Sequence, residues 1–512
     1  MNVNKWWIPT SLAMLCSFNS MAAEKREQQK PNIIYILADD LGYGELGCYG
    51  QRLIETPNID QLAKEGIKFT QHYSGSPVCA PSRCVLLSGK HTGHSYIRGN
   101  YPVSGGVNGK TYYESMLSDS SIEGQKSIPA DVKLLPAYLK DQGYNTGMIG
   151  KWGLGSPTSV STPNKKGFDF FCGYICQKVA HTYYPTHLYL NEERFYLDND
   201  TVDLDLKLPK GSDPLDVKSY DKFTSNTYSP DVMTSKMREW ISRNGKQPFF
   251  FYWASPIPHV ALQAPKRWVD YYQKKFGDEK PYLANRGYYP CRYPHATYAA
   301  MISYLDEQVG VLVKQLKGMG IYDNTLIVFT SDNGPSFNGG TDSPHFNSAG
   351  QFNESMGWGK CSVHEGGVRV PMIACWPKRI KKGRTSNHIS AFWDVLPTFC
   401  QITGHKIPED TDGISFFNTL VDKRQAMHEY LYWEYPERDG QQAMRYGNWK
   451  LIRKNLRRGQ VKEALYDLTK DPKEQKNVKE EYPLLFVYVK NLMKKEHTRS
   501  NLKKFRMPHV DN

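Results

Sequence analysis

The sequence predicts an α/β fold: a large mixed, mostly parallel sheet sandwiched by helices, followed by a small α+β unit. Three observations carry this. Continuous apolar runs read as strands buried on both faces. Helix-length segments with start and stop signals alternate with those runs. Near residue 400 the pattern changes to short strand-like pieces.

The first strand is Asn32-Ile33-Ile34-Tyr35-Ile36-Leu37, which ends in Ala38-Asp39-Asp40 and the turn Leu41-Gly42-Tyr43-Gly44. A helix opens with Thr56 as N-cap and Pro57 in its first turn, and stops at Gly66. A helix near Val132 to Lys140 ends at Gly143 and leads to the strand Thr146 to Gly150. Ser229-Pro230-Asp231 opens the next helix, which closes near Gly245 before the strand Pro248 to Ala254. A longer helix, Tyr298 to Leu316, ends at Gly318 and precedes the strand Thr325 to Thr330. The late pieces are His428 to Tyr435, Gln442 to Arg445, Lys450 to Arg453 and Tyr466-Asp467-Leu468, with a final helix. The expected organisation is therefore a main domain over 24–399 and a C-terminal subdomain over 400–512.

Right-handed crossovers place the carboxyl ends of these strands on one edge, where ligands of such sheets bind. The polar residues following the strands are Asp39, Asp40, Lys151, His259, Asp332 and Asn333. Three carboxylates and an amide carbonyl make a hard-oxygen ligand set, suited to Ca²⁺ or Mg²⁺ and not to zinc or copper.

Composition sets the class. With 39% hydrophobic and 23% charged residues over 512, the chain is globular, which excludes disorder and a small disulfide scaffold. The net charge of +13 suits anionic partners. Residues 1–23 read as a signal peptide: Lys5, the apolar run Trp6 to Phe18, then Ser20-Met21-Ala22-Ala23 for cleavage. That run is shorter than the ~20 residues a bilayer span needs, so the expected product is exported, periplasmic or extracellular, without stable membrane insertion. Nine cysteines follow the leader, an odd number and without zinc-site spacing.

The segment Cys79-Ala80-Pro81-Ser82-Arg83 decides the chemistry. Pro81 belongs in a helix's first turn, so Cys79 sits at an N-terminus that favours an anion, with Arg83 one turn on. On these residues the chain resembles the type I sulfatases, formylglycine-dependent relatives of alkaline phosphatase. Further blocks match in order: Pro31-Asn32-Ile33 to Asp39-Asp40-Leu41-Gly42, Gly150-Lys151-Trp152, Ser331-Asp332-Asn333-Gly334, Glu365 to Pro371, and Leu465-Tyr466-Asp467-Leu468 with Asp471-Pro472 and Glu474.

The resemblance implies an alkaline phosphatase-like fold and sulfate ester hydrolysis. It implies that a maturation enzyme converts Cys79 to formylglycine, whose hydrate attacks sulfur with one hydroxyl and expels sulfate with the other. Asp39, Asp40, residue 79, Asp332 and Asn333 would hold the metal, Ca²⁺ ahead of Mg²⁺. Arg83, Lys151 and Lys360 would clamp charge, and His259 would protonate the leaving oxygen. Two alternatives remain on this scaffold: a phosphate or phosphonate ester hydrolase, and a carbohydrate-binding protein with a decayed site.

One position departs from the family. Many members have His where this chain has Gly153, and His181, His187 and His345 are the candidates to replace it. The expected substrate is a sulfated carbohydrate rather than nucleic acid, attacked at a terminal sugar of galactose or N-acetylgalactosamine type. The basic balance favours it, and the polar-aromatic segment Ala180 to Tyr189 resembles those of bacterial glycan sulfatases. His181 is expected to read the axial hydroxyl, with His345, Trp433 and Glu434 as further substrate contacts.

Overall fold

The computed structural model describes Met1 and residues 30–103, 109–200, 206–352 and 358–511, with the side chains of 109–113 excepted. Apart from Met1, the leader lies outside the described residues. Four strands lie where the apolar runs predict: β1 (Asn32–Ala38), β3 (Asn145–Lys151), β7 (Phe249–Ala254) and β8 (Thr325–Ser331). They are parallel neighbours in the order β8-β1-β7-β3, so their carboxyl ends stand side by side. All residues of β1, β7 and β8 are buried, which is why these segments show no polar alternation.

The sheet extends on both sides with strands the apolar-run criterion does not find. β2 (Ile67–Tyr73) is half-polar because one face is less covered. β4 (Phe170–Tyr174), β5 (His187–Leu190) and β6 (Glu193–Tyr196) are short and form one flank. β9 (Arg369–Cys375) runs antiparallel between β8 and β2. It carries Pro371, a residue normally kept out of central strands. The pairing of β2 with β9 slips between Phe69 and His72, opposite that proline, so no ladder donor is demanded of it. The long helix begins at Pro294 rather than Tyr298 and runs to Gly318, because Pro294 takes the first helical turn.

The C-terminal strands Tyr430–Tyr435, Gln441–Tyr446, Trp449–Lys454 and Lys462–Asp467 form an antiparallel meander, backed by the helix Pro483–Lys495. This sheet belongs to the same compact unit as the main sheet. Trp433 makes the joint. It is fully buried, its Nε1 donates to Ser74 O at 2.9 Å, and its ring packs on Tyr73 and Trp393. Glu434 is also buried, paired with Arg98 at 2.9 Å and His497 at 2.6 Å. The expectation that Trp433 and Glu434 contact substrate is thus corrected: Trp433 faces the seam between the sheets, and Glu434, on the opposite face of the strand, is held by Arg98, His497 and the Tyr432 hydroxyl. No described helix is long and apolar enough to cross a membrane.

Candidate active site

The site is assembled at the carboxyl edge. Asp39 and Asp40 leave β1 there, Asp332 and Asn333 leave β8, and Lys151 is the last residue of β3. Asp40 adopts φ +66°, a left-handed conformation that Asp tolerates better than most residues. The two strand ends are tied together, since Asp332 N donates to Ala38 O at 3.0 Å and Asp40 N to Asp332 Oδ1 at 3.2 Å.

The helix α1 (Cys79–Ser88) enters above them with Cys79 as its first residue. Ser82 Oγ donates to Asp332 O at 2.6 Å and accepts from Gly75 N, which fixes that first turn against β8. The Cys79 thiol donates to Asp39 Oδ1 at 3.3 Å. Burial, and then the Asp39 charge, push this thiol far above its ordinary range, so an unmodified Cys79 carries little thiolate.

Arg83 is buried behind the carboxylates. Its Nη2 lies 3.2 Å from Asp39 and 3.1 Å from Asp332, and its Nη1 donates to Lys151 O. It therefore joins three strand ends from behind the cleft. Lys151 Nζ donates to Asp39 Oδ2 and Lys360 Nζ to Asp40 Oδ2, each at 2.7 Å. Burial alone would raise Asp39, but Lys151 and Arg83 hold it well below the carboxylate range. Burial dominates at Asp40, raised despite Lys360, and at Asp332, pushed up to about 7 with Asp39 adding repulsion.

His259 Nε2 is 3.7 Å from Asp40 Oδ2. Its Nδ1 faces Val260 O, so Nδ1 donates and Nε2 is the atom turned to the site. His181 lies on the His259 ring, and Tyr288 packs edge-on to both. The segment bearing His181 is stapled to the His259 loop. The Tyr183 hydroxyl is shared between Pro256 O and His259 O at 2.7 Å each, and Gln263 Oε1 accepts from Tyr183 N.

The other candidates for the absent His do not reach the site. His187 is buried against Glu123 at 3.2 Å, and His345 is an exposed residue stacked on His295. Position 153 has φ +73°, and a Cβ there would meet Gln177 Cγ at 2.7 Å. Gln177 therefore stands where a side chain at 153 would project. The cleft measures about 810 Å³ and is also lined by Tyr288, Trp358, Arg438 and Lys454, which sequence reasoning missed. Tyr288, at φ +63°, sits in a loop closed by the Tyr282–Cys291 bridge, a placement no periodic pattern announces.

The residues present fit a hard divalent cation. Ligand atoms of Asp39, Asp40, Cys79 and His259 lie within 4.8 Å of one another. Asn333 Oδ1 is buried without a hydrogen-bond partner among the described residues, an acceptor that a cation beside Asp39 and Asp40 would satisfy. A second cluster, His91, His94 and Glu496, does not fit a metal. His91 Nδ1 accepts from Gly93 N, so Nε2 carries a proton toward Glu496, and the group is a hydrogen-bonded pin.

Comparison with known proteins agrees with this geometry. The family model described as Sulfatase matches residues 31–405, and one described as N-sulphoglucosamine sulphohydrolase, C-terminal, matches 354–501. The chain is 28% identical over 546 residues to the N-acetylgalactosamine-6-O-sulfatase of Bacteroides thetaiotaomicron, covering 95% of this chain and 98% of the relative. It is 28% identical over 447 residues to the human N-acetylgalactosamine-6-sulfatase, covering 84% and 74%. Among solved structures, Ps i-CgsB in complex with k-i-k-neocarrahexaose is similar at a TM-score of 0.70 and 28% identity, over 94% of this chain and 95% of that one. A cleft floored by Cys79, walled by Lys151, Lys360 and His259 and underlain by the buried Asp39 and Asp40, on a chain matched from residue 31 to 405, leaves one conclusion: the chain belongs to the sulfatase family and is a sulfuric ester hydrolase.

Proposed function

We propose that this enzyme removes a sulfate ester from a terminal galactose- or N-acetylgalactosamine-type sugar of a glycan, after maturation of Cys79 to formylglycine. The observation that carries the reading is the position of Cys79. It is the first residue of α1, 3.3 Å from Asp39, at the floor of a cleft wide enough for a sugar. The named relatives that act on N-acetylgalactosamine 6-sulfate support the sugar class.

One divalent cation, Ca²⁺ in preference to Mg²⁺, would be held by Asp39, Asp40, Asp332, Asn333 and residue 79. When bound, it and the formylglycine would supply Lewis-acid polarisation and the nucleophile. The chain's own groups do the rest. Lys151 and Lys360 present ammonium groups to the sulfate oxygens, each already oriented by a carboxylate. Arg83 holds Asp39 and Asp332 in place from behind. His259 turns Nε2 to the departing sugar oxygen while Nδ1 keeps its own proton on Val260 O, so it delivers a proton there as the imidazolium, a form that the charge of a bound sulfate favours. His181, beside it, faces the sugar and reads its axial hydroxyl.

Residues 1–23 direct export to the periplasm or beyond, and a formylglycine-generating enzyme acts on the chain before or during secretion. The test joins two measurements. Mass spectrometry of the Cys79 peptide from active enzyme should show sulfur replaced by an aldehyde oxygen. Sulfate and phosphate esters of the same sugar, assayed in parallel, should show turnover of the sulfate. A fully active preparation with a plain thiol at residue 79 would refute the nucleophile assignment.

A further inference from the structure

Two turns of the C-terminal sheet reach into the cleft that holds Cys79. The turn after Tyr430–Tyr435 contributes Arg438, and the end of Trp449–Lys454 contributes Lys454. They stand near the reacting end. Gln441 Nε2 donates to Cys361 O at 3.0 Å, and Cys361 follows Lys360, whose ammonium is 2.7 Å from Asp40. Both residues lie where the backbone turns sharply: Arg438 and Asp439 have φ +51° and +65°, and Asn455, next to Lys454, has φ +61°. Such conformations cost energy in non-glycine residues and hold the two side chains at defined places on the wall.

Charge pairing separates these cations from the others in the cleft. Lys151 and Lys360 each face a buried carboxylate. Neither Arg438 nor Lys454 forms a close ion pair with a described carboxylate, although Arg438 is hydrogen-bonded to Cys361 and attracted by Glu437, and Lys454 is attracted by Glu474. Both acids also hold other partners. Glu437 Oε1 accepts from Asn100 N, and Glu474 takes Lys450 at 3.2 Å and Glu365 N at 2.7 Å. Lys454 is half-buried, with its ammonium 5.5 Å from the Trp358 ring centroid, and Trp358 is backed by the stacked His364 ring at 3.7 Å. An ammonium partly withdrawn from water without a close ion pair is unfavourable, and an arriving anion relieves the cost. A guanidinium adds a planar fork that matches sulfate and carboxylate oxygens alike.

We propose that Arg438 and Lys454 form a second anion subsite, which binds a further sulfate or carboxylate of the same glycan while the scissile sulfate lies between Lys151 and Lys360. The subsite rests on the glycan reading above and narrows it: the preferred substrates carry at least two negative groups. The reaction is unchanged by it. The subsite selects and orients.

The experiment compares kcat/KM of the matured enzyme on three probes: a monosulfated galactose, a monosulfated disaccharide containing a uronate, and a disulfated disaccharide. The variants are Arg438→Gln, Lys454→Gln and the double change. Arg438 is exposed, so its substitution leaves the fold intact. The wild type should favour at least one dianionic probe over the monoanionic one by about ten-fold or more, the effect of one charge-assisted hydrogen bond. The double variant should bring that ratio near one, mainly through KM, and Arg438→Lys should restore part of it. Loss of preference for the uronate probe assigns a carboxylate, and loss for the disulfated probe assigns a sulfate. Ratios equal in wild type and double variant, with all probes turned over, would overturn the subsite. A wild type that hydrolyses an aryl sulfate but no sulfated sugar would instead overturn the glycan reading and the subsite with it.

Discussion

His181 lies flat against His259, with ring centroids 5.1 Å apart and planes 14° from parallel. The pair links the residue proposed to read the sugar to the residue proposed to protonate its leaving oxygen. Burial, then the other ring or the neighbouring lysines, pulls both imidazoles well below the ordinary histidine range. Two imidazoles in contact do not both carry charge readily. Tyr288 closes the arrangement, packed on both rings at 5.2 and 5.8 Å.

Replacing His181 by Ala should therefore cost most where a sugar is present. Removing a group that bonds a substrate hydroxyl leaves that hydroxyl unpaired and can cost about a hundred-fold or more in kcat/KM. A small aryl sulfate should lose less than about ten-fold, the residual effect of loosening His259. Parallel kinetics on both substrates check this. Equal losses on the two would move His181 from recognition into the chemistry, in place of the residue absent at Gly153.

Asn333 gives the sharpest handle on the metal. Its buried Oδ1 has no partner among the described residues, while its Nδ2 donates to Asp40 Oδ1 at 2.8 Å. A cation that binds only the folded chain stabilises it by about 2.7 kcal/mol at a hundred times its Kd. Chelator treatment should lower the thermal midpoint and abolish turnover, and Ca²⁺ should restore both. Asn333→Ala should raise the Ca²⁺ concentration needed. Full activity in protein shown by elemental analysis to be metal-free would end the assignment.

Much of this site was readable because of where the strands end. An apolar run buried on both faces must stop before its first charged residue, so Asp39, Lys151 and Asp332 mark strand ends and share one edge. Orientation was not readable in the same way. Trp433 and Glu434 end a strand too, yet a tryptophan and a carboxylate look alike in sequence whether they face a cleft or pack inside the protein. Arg83 is readable as a charge one turn on from Cys79, but its position behind the carboxylates is not, because sequence spacing gives the helix turn and not the depth of the guanidinium. Tyr288, Arg438 and Lys454 reach the cleft from irregular turns, where no period constrains direction.

The seam position of Trp433 makes its own prediction. Trp433→Ala removes a fully buried indole and its bond to Ser74 O, so it should destabilise the protein by about 3–5 kcal/mol. Turnover per folded molecule should change little, because the ring does not line the cleft. Denaturant unfolding followed by active-site titration separates the two effects. A large change in KM with unaltered stability would return Trp433 to the substrate.

The Glu434 network should make stability fall as pH rises. His497 Nδ1 pairs with Glu434 Oε1 at 2.6 Å and its Nε2 with Asp511 at 3.2 Å. Arg98 and the Tyr432 hydroxyl hold the rest of Glu434. Burial alone would lower His497, but the bond to Glu434 carries it above its ordinary 6.5. A group whose folded value is raised binds its proton more tightly in the native state. Its stabilisation is complete below 6.5 and is lost as pH climbs through the folded value. The thermal midpoint should therefore decline between about pH 6 and about pH 8. His428, raised by Asp394, and His94, raised by Asp412, titrate in the same direction, so wild type alone does not isolate the network. His497→Gln keeps a hydrogen-bond donor for Glu434 and removes the titration. The difference between the wild-type and His497→Gln midpoints should be largest at the acid end and shrink toward the alkaline end. A difference that stays constant over this range would show that the His497 proton adds nothing to folding.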